Sequence, residues 1–372
     1  MASSTRLSRH ASRAVGAIVG VALSGLLLGC SKHVPLAQAA APLTPPTRMC
    51  GTAAEDTDCR SAVTLEQVLR GELELLGLAD TPSGAQGAKL LTVRGHADRG
   101  SIVLRAKWRP QSSGDLLNEP RKELAAYAVQ RLFLEPGEWV APPTAAQCLP
   151  LDEYRKFDPS AEATFPKTDC VFGYISYWVE SAQSVNRARK DGQLGPGSGI
   201  WDAKLFARDE TYKESVARCN LLTYVINHGD AHDEQFLVEP TASGLRAYVV
   251  DNSIAFRSIK NPLLLLRQDW SSIQVPWLPP RAIERLRSLT HEDFSRLSTI
   301  AVLERQSDHL HNVPLAREQI SDGSSLQWHG SLLRVGLTRG EIDLVEERVR
   351  DLLAAQPSPD SGGVDRANGA AR

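Results

Sequence analysis

The chain has 372 residues, with 42 Lys and Arg against 44 Asp and Glu and a formal net charge of −2. That length suits one large domain or two small ones, with enough chain to bury a core. The balanced charge lacks the basic footprint of nucleic-acid-binding proteins, so no nucleic-acid partner is expected. Hydrophobic residues make up an ordinary 42% of the chain, which predicts a globular protein rather than a polytopic membrane protein.

The N-terminus has the pattern of an export signal. Arg6, Arg9 and Arg13 occur there without any acidic residue, and the apolar run 14–28 follows them. The run is shorter than a confident membrane span and fits the apolar segment of a signal peptide. An uncleaved signal anchor is the alternative.

The apolar run ends in the letters LLGC at Cys30, which resemble the bacterial lipobox. The resemblance implies a signal peptide over 1–29 and lipidation of Cys30, which would become the new N-terminus. The membrane is then a partner through this lipid (a palmitate or similar chain), and Ser31 favours the outer membrane on its periplasmic side. The Pro- and Ala-rich segment that follows belongs to a flexible tether over 30–62.

Five further cysteines follow the lipobox. Because an exported protein lies in an oxidising compartment, disulfides are expected. Cys50 and Cys59 would close a short loop, and Cys148 and Cys170 a longer one. Cys219 falls on the apolar face of a predicted helix and is expected to be a buried free thiol. The spacings do not contain a CxxC motif, so a structural zinc site is not expected.

The first half of the chain alternates helix and strand patterns. Residues 64–76 predict an amphipathic helix. The alternating runs 89–95 and 101–108 predict a β-hairpin. Residues 118–133 predict a second helix, and 171–180 predict a strand that contains a glycine.

The second half is predicted to be mostly helical. A helix is expected over 209–226, and the apolar runs 235–239 and 245–251 around a turn predict a hairpin. The segment from about 262 to 354 is predicted to be helical, and 355–372 to be a disordered tail. Strands before helices in this order favour an α+β fold.

Five residues supply, along the chain, the types of side chain that phosphoryl transfer from ATP needs. A Lys steadies phosphates and is held by a helix Glu, a loop Asp orients the attacking hydroxyl, and an amide with a second Asp holds Mg²⁺. Lys107, Glu123, Asp230, Gln235 and Asp251 supply these groups in this order along the chain.

The segment HGDAHDEQFLV, followed by VVDNS, resembles the catalytic and metal-binding segments of the protein-kinase-like superfamily. It is closest in style to aminoglycoside phosphotransferases and to phosphoinositide-kinase-type atypical kinases. The resemblance implies a two-lobed α+β fold, with a small β-rich N-lobe over 63–175 and a larger helical C-lobe over 176–354. It also implies a nucleotide partner, ATP with Mg or Mn, and a protein, sugar or lipid acceptor that the sequence does not name.

The resemblance assigns a role to each residue of the series. Asp230 would be the catalytic base. Asp251 would be the main metal ligand together with Gln235, and Lys107 would contact the α- and β-phosphates while paired with Glu123.

Further positions are assigned by the same resemblance. Gly84 and Gly87 would lie in the loop that covers the phosphates. Tyr174 lies in the strand whose backbone would receive adenine, and His228 and His232 would be structural residues of the catalytic loop.

Departures from the pattern leave alternatives open. The superfamily has Asn where this chain has Gln235, whose amide oxygen lies one methylene farther out, and Mg²⁺ demands strict geometry. A catalytically inactive pseudokinase that acts as a binding or scaffold lipoprotein is therefore the first alternative. His228, Asp230 and His232 could instead be ligands of a metal-dependent hydrolase, or the segment could be a polar turn.

Overall fold

The computed structural model describes the parts of the chain that form the helices, the strands and most of their connections. The described residues are 47–50, 59–82, 87–111, 119–197, 199–229, 231–257, 269–315 and 325–356. All of them belong to one compact unit, Leu36–Arg372. The predicted signal peptide 1–29, most of the tether and nearly all of the tail lie outside the described residues.

An antiparallel sheet of five strands occupies the first half of the described chain. Its strands are β3 (Glu74–Asp80), β4 (Lys89–Ala97), β5 (Gly100–Pro110), β6 (Thr144–Pro150) and β7 (Cys170–Tyr177). Around it are β1 (Arg48–Met49), β2 (Cys59–Arg60), α1 (Ala62–Arg70), α2 (Arg121–Phe133) and α3 (Leu151–Arg155). The strands are ordered β3, β4, β5, β7, β6 in space, so β5 is central and α2 lies in the connection that follows it.

The alternation of side chains along β5 separates the two faces of this sheet. Leu104, Ala106 and Trp108 are buried on the face that packs against α1. Because successive side chains of a strand point to opposite faces, Lys107 and Arg109 point to the other face, toward α2. The sequence of β5 thus places a lysine between a sheet and a helix.

The predicted helix over 64–76 is wrong in its second half. Helix α1 ends at Arg70 with Gly71 as its C-cap, and the residues that follow form β3 at the sheet edge. The run Glu72–Leu78 is rich in leucine, which fits a helix and a buried strand equally well. Glycine at the helix end decides between them, because it favours termination.

The middle of the chain carries the long helix and the hairpin that the sequence predicts. Its elements are β8 (Gln183–Ser184), α4 (Val185–Lys190), α5 (Ala203–Arg208), α6 (Glu210–Val225), β9 (Phe236–Thr241) and β10 (Gly244–Val249). The side chain of Asp209 caps α6 by accepting the N–H of Tyr212. β9 and β10 form the hairpin, and β8 pairs with β9. Both predictions are confirmed.

The last part of the described chain contains a second antiparallel sheet. Its elements are α7 (Pro280–Ser288), α8 (His291–Ser295), β11 (Ala301–Gln306), β12 (His309–Val313), β13 (Leu326–His329), β14 (Leu332–Val335) and α9 (Arg339–Ala355). The strands are ordered β12, β11, β14, β13. The edge strand β12 touches the first sheet, since Asn312 Nδ2 donates to the carbonyl oxygens of Ala146 at 2.9 Å and Arg70 at 3.1 Å.

This second sheet contradicts the prediction that the chain is helical from about 262 to 354. β11 is paired on both sides, and its residues Ala301, Val302 and Leu303 are all buried. A strand buried on both faces reads as a continuous apolar run without alternation, which is why it was mistaken for a helix. The mixed helix and strand content of the fold is confirmed, and the described part of the chain after residue 262 contains a four-stranded sheet as well as helices.

Two disulfides and one free thiol match the cysteine predictions. Cys50 pairs with Cys59 at a Cα–Cα distance of 5.1 Å, and Cys148 with Cys170 at 5.4 Å. The second bond joins the neighbouring strands β6 and β7. Cys219 is buried and free. Among the described helices there is not one whose length and apolar character would let it cross a membrane.

We expect Gly173→Ala to destabilise the sheet. A Cβ at this position in β7 would collide with the carbonyl oxygen of Arg109 and lie 2.8 Å from Cα of Pro110, both of them backbone atoms. Overpacking of this kind lowers the free energy of unfolding by about 1–3 kcal/mol, measurable in urea. Gly340→Ala is the matched control, because its Cβ would meet no atom within 4 Å. Equal effects of the two substitutions would contradict the packing.

Candidate functional site

The site centres on the ammonium of Lys107. Its Nζ lies 3.0 Å from Oε1 of Glu123 and 3.1 Å from Oδ1 of Asp251. These partners come from α2 and from the segment directly after the β9–β10 hairpin. The structure therefore brings together three of the predicted site residues, from three separate parts of the chain.

Glu123 also binds the backbone beside Asp251. Its second oxygen, Oε2, accepts the N–H of Asn252 at 2.9 Å and the Nδ2 amide of Asn252 at 3.3 Å. One carboxylate thus fixes Lys107 with one oxygen and residue 252 with the other. Asn252 was not among the predicted site residues, although its place directly after Asp251 in VVDNS was a signal.

Asp251 has an unusual backbone conformation. Its φ of 60° and ψ of 48° lie in the left-handed region, which costs roughly 1–2 kcal/mol for a residue with a Cβ. The N–H of Val250 donates to the carbonyl oxygen of Gln235 at 2.8 Å, and the hydrogen bonds of Asn252 hold the other side. Strain that neighbours hold in place in this way is typical of functional positions.

Burial differs sharply among the three charged groups. The side chain of Glu123 is 7% exposed and that of Lys107 20%, whereas Asp251 is 41% exposed. Glu123 therefore acts as an internal support. The carboxylate of Asp251 and the ammonium of Lys107 remain within reach of a ligand.

The ion pairs shift the pKa values of both reachable groups. Burial alone would lower the pKa of Lys107, but the charges and hydrogen bonds of Glu123 and Asp251 outweigh it and raise this pKa to about 12. Burial would raise the pKa of Asp251, but the charge and hydrogen bond of Lys107, then Arg109 and His228, hold it below its usual range. The Lys107 interactions stabilise the fold fully below about pH 10.5 and lose this effect as the pH rises through about 12.

The loop between α6 and β9 contains the other predicted residues. Asp230 lies outside the described residues. His228 is fully buried, and its N–H donates to the carbonyl oxygen of Thr223 at 3.0 Å, which continues α6 into the loop. His232 caps the short 3-10 helix Asp233–Gln235, because its Nδ1 accepts the N–H of Glu234 at 3.2 Å.

Gln235 lies beside the end of β10. Its side chain is buried, and its Nε2 is 3.4 Å from Nε2 of His232. The backbone hydrogen bond from Val250 places it one residue away from Asp251 along the ladder. Gln235 and Asp251 are thus close together in the chain's backbone pairing. Among the described residues, His, Cys, Asp and Glu do not form a group of three that could hold a metal ion.

The remaining predicted positions lie on the five-stranded sheet. Gly87, in the connection between β3 and β4, has a φ of +74°, a conformation that suits glycine. Gly84 lies outside the described residues.

Tyr174 contradicts its predicted contact with adenine. It pairs with Arg109 of β5 on one side and with Ala146 of β6 on the other. Because a strand paired on both sides has no free backbone groups, Tyr174 cannot offer its backbone to a base. Its side chain is buried against Phe172 with ring centroids 5.5 Å apart. The sequence could not show this, since a central strand and an edge strand have similar residues.

No protein-family model matches the chain, and no curated protein matches it. Among solved structures, the chain is similar to the crystal structure of the maize sucrose-induced receptor kinase 1 kinase domain bound to AMP-PNP, with 16% identity and a TM-score of 0.24. The match covers 54% of this chain and 56% of that one. A TM-score this low does not establish a shared fold, and the match covers little more than half of the kinase domain.

We expect competitive acylation to find the Lys107 pKa near 12. In Glu123→Gln the ammonium loses its most buried partner, so the pKa falls by about one unit and acylation at pH 9 becomes about tenfold faster. Peptide mass spectrometry measures the rate at each lysine. Lys89, which pairs with the exposed Asp80, serves as the internal control and keeps its rate. A Lys107 that reacts as readily as Lys89 in the unchanged protein would contradict the described geometry.

Proposed function

We propose that this chain is a kinase-like phosphotransferase that uses ATP and a divalent metal ion, and that it is exported and anchored by a lipid. One observation carries the proposal. The ammonium of Lys107 lies between the carboxylates of Glu123 and Asp251, which are far apart in sequence. Protein kinases need this arrangement, a strand Lys held by a helix Glu close to a metal-binding Asp.

The order of elements supports the same function. Lys107 lies on the third strand of the five-stranded sheet, and Glu123 lies on the helix that follows. The glycine-containing connection β3–β4 precedes them, where kinases have the loop that covers the phosphates. The loop after α6 and the hairpin that ends before Asp251 follow in kinase order. These elements support a two-lobed fold, with lobes over 63–175 and 176–354.

The residues present fit a nucleotide with its metal ion. The ammonium of Lys107 can contact phosphate oxygens while Glu123 holds it in place. The exposed carboxylate of Asp251 and the amide oxygen of Gln235 are ligand types that Mg²⁺ or Mn²⁺ prefers, and the ion would neutralise phosphate charge. The buried Glu123 is left to orient Lys107.

The transfer step itself is assigned to Asp230 on the evidence of the sequence. The acceptor hydroxyl oxygen bonds to the γ-phosphorus, and the bond from that phosphorus to the bridging oxygen breaks. ADP leaves with that oxygen, and Asp230 takes the hydroxyl proton. Protein, sugar and lipid hydroxyls all meet these requirements.

Export to the periplasmic face of the outer membrane is part of the proposal. The signal over 1–29 and the lipobox at Cys30 support it. The disulfides Cys50–Cys59 and Cys148–Cys170 also support it, because disulfides persist in oxidising compartments.

A second candidate is an inactive pseudokinase that binds a nucleotide or a partner protein. Gln235 favours it, because its amide oxygen lies one methylene farther out than that of the Asn in the superfamily, and Mg²⁺ demands strict geometry. Nucleotide binding without phosphate transfer would be its signature.

We expect ATP with Mg²⁺ or Mn²⁺ to raise the thermal unfolding temperature. Ligand at 100 times its Kd adds about 2.7 kcal/mol, which is several degrees for a domain of this size. Lys107→Met should weaken binding about tenfold or more, because a charged hydrogen bond is lost. Asp251→Asn should remove the part of the shift that depends on metal. Lys89→Met, which changes an exposed lysine, is the matched control.

Two outcomes would count against this function. If millimolar ATP with either metal does not change the thermal unfolding temperature, the proposed function is wrong. A metal-dependent shift that survives Asp251→Asn places the metal elsewhere. Incubation with ATP labelled in the γ-phosphate then separates the candidates, since binding without a labelled product identifies the pseudokinase.

We expect Cys30→Ser to release the protein from the membrane. Without the thiol the lipid cannot be attached, so the chain moves to the soluble fraction or keeps its signal peptide. Cell fractionation and mass spectrometry of the N-terminal peptide measure this. Cys219→Ser changes a cysteine far from the signal and should leave the protein in the membrane fraction. An unlipidated N-terminus in the unchanged protein would refute the anchor.

A further inference from the structure

The N-terminal turn of α2 is held by α9, the last of the described helices. The guanidinium of Arg121 binds Glu341 of α9 with two hydrogen bonds, Nη2 to Oε1 at 2.8 Å and Nη1 to Oε2 at 2.9 Å. Lys122 adds its ammonium at 3.4 Å from Oε1 and is only 1% exposed. One carboxylate therefore faces two buried cations. No sequence pattern indicates this contact, since 220 positions separate Arg121 from Glu341.

Glu341 is itself fixed. Its Oε2 accepts the N–H of Thr338 at 2.8 Å and the Thr338 hydroxyl at 3.0 Å, while Thr338 caps α9 in return. The residue before, Leu337, donates its N–H to Leu297 at 2.9 Å. The carboxylate of Glu341 is thus a rigid attachment point for α2 rather than a mobile surface charge.

The chain directly before α2 is also attached to the segment after Asp251. Glu119 accepts from Lys122 at 3.1 Å and from Arg257 at 2.9 Å, and its N–H donates to Ser253 at 3.0 Å. Glu119 pairs with Arg121 as well. These contacts hold the helix on its other side.

From this geometry we infer that Glu341 is a positioning residue. Through Arg121 and Lys122 it keeps α2 in the position in which Glu123 pairs with Lys107. Arg121 and Glu123 are two residues apart on one helix, about 3 Å along its axis. A movement of the first turn therefore moves Glu123 as well. The catalytic meaning of this contact rests on the proposed function, whereas the contact itself does not.

The charges explain why loss of Glu341 would move the helix. Burial lowers the pKa of Lys122, and Glu119 and Glu341 counteract it. Burial also opposes the charge on Arg121, whose pKa the contacts with Glu341 and Glu119 nevertheless raise. Without the Glu341 charge, the two buried cations would share the carboxylate of Glu119 with Arg257, and buried cations with too little opposite charge move toward water. The N-terminal turn of α2 would move outward and carry Glu123 away from Lys107.

The test uses Glu341→Gln in the full chain, with the Lys107 pKa as readout. Gln keeps the size of the side chain and can still accept from Thr338, but it removes the charge. We expect Lys107 to be acylated about five- to tenfold faster at pH 9, approaching the rate in Glu123→Gln. Asp343→Asn is the matched control. It removes a carboxylate of α9 that pairs with Arg339 at 2.9 Å on the exposed side, and it should leave the Lys107 rate unchanged.

The design separates positioning from general destabilisation. Lys89 serves as the internal reference for acylation. The thermal unfolding transition of each variant is measured first, and acylation is then carried out at a temperature below it. If Glu341→Gln does not fold, the milder Arg121→Lys is tested instead. It keeps the positive charge but loses the pair of hydrogen bonds to Glu341, so we again expect faster acylation of Lys107. A folded variant whose Lys107 rate equals that of the unchanged protein overturns the inference.

Nucleotide measurements distinguish this inference from the proposed function. If the unchanged protein binds no nucleotide, the function fails, but the Lys107 rate still tests the position of α2. If the protein transfers phosphate, Glu341→Gln should lower kcat about tenfold and change the KM for ATP less, because Lys107 itself remains. An unchanged kcat with a faster Lys107 reaction would show that the contact positions α2 without serving catalysis, which overturns the catalytic part.

Discussion

The ammonium of Lys107 is the point on which the arrangement of the site depends. It has two carboxylate partners that lie 16 and 144 positions away in the chain. A buried lysine without them would lose its charge or draw water into the sheet. Glu123 also binds the backbone of Asn252. It therefore connects strand β5, helix α2 and the segment after the β9–β10 hairpin. A movement of any one of these three elements would change the contacts that it makes with the other two.

Much of this site could be predicted from the order of residues, and some of it could not. Lys107, Glu123 and Asp251 were predicted because phosphate transfer requires these types of side chain, and because the resemblance to the protein-kinase-like superfamily implies their order along the chain. The contact with Asn252 depends on a left-handed backbone at Asp251. The spacing of apolar residues in the sequence does not indicate such a conformation. Tyr174 was placed wrongly because the sequence does not show which strands lie at a sheet edge.

The fold was predictable where the pattern had one period. The β4–β5 hairpin, α6 and the β9–β10 hairpin show clear alternation or helical spacing. The second sheet was missed because β11 is buried on both faces and reads as a short apolar run. Arg121 and Glu341 show the same limit for charges, since each looks like an ordinary surface residue until the tertiary structure places them together.

The contact between Asn312 and the first sheet has a consequence for how the protein is made. Synthesis proceeds from the N-terminus, and long-range contacts are slow to form. Strand β6 contacts Asn312, and the first turn of α2 contacts Glu341. Each of these partners is synthesised more than 160 residues later than the element that it contacts. The early part of the chain can acquire its strands and both disulfides, but it lacks these contacts until residues 312 and 341 have been synthesised. A chain truncated before residue 312 would lack these contacts even though it retained the three charged residues of the site.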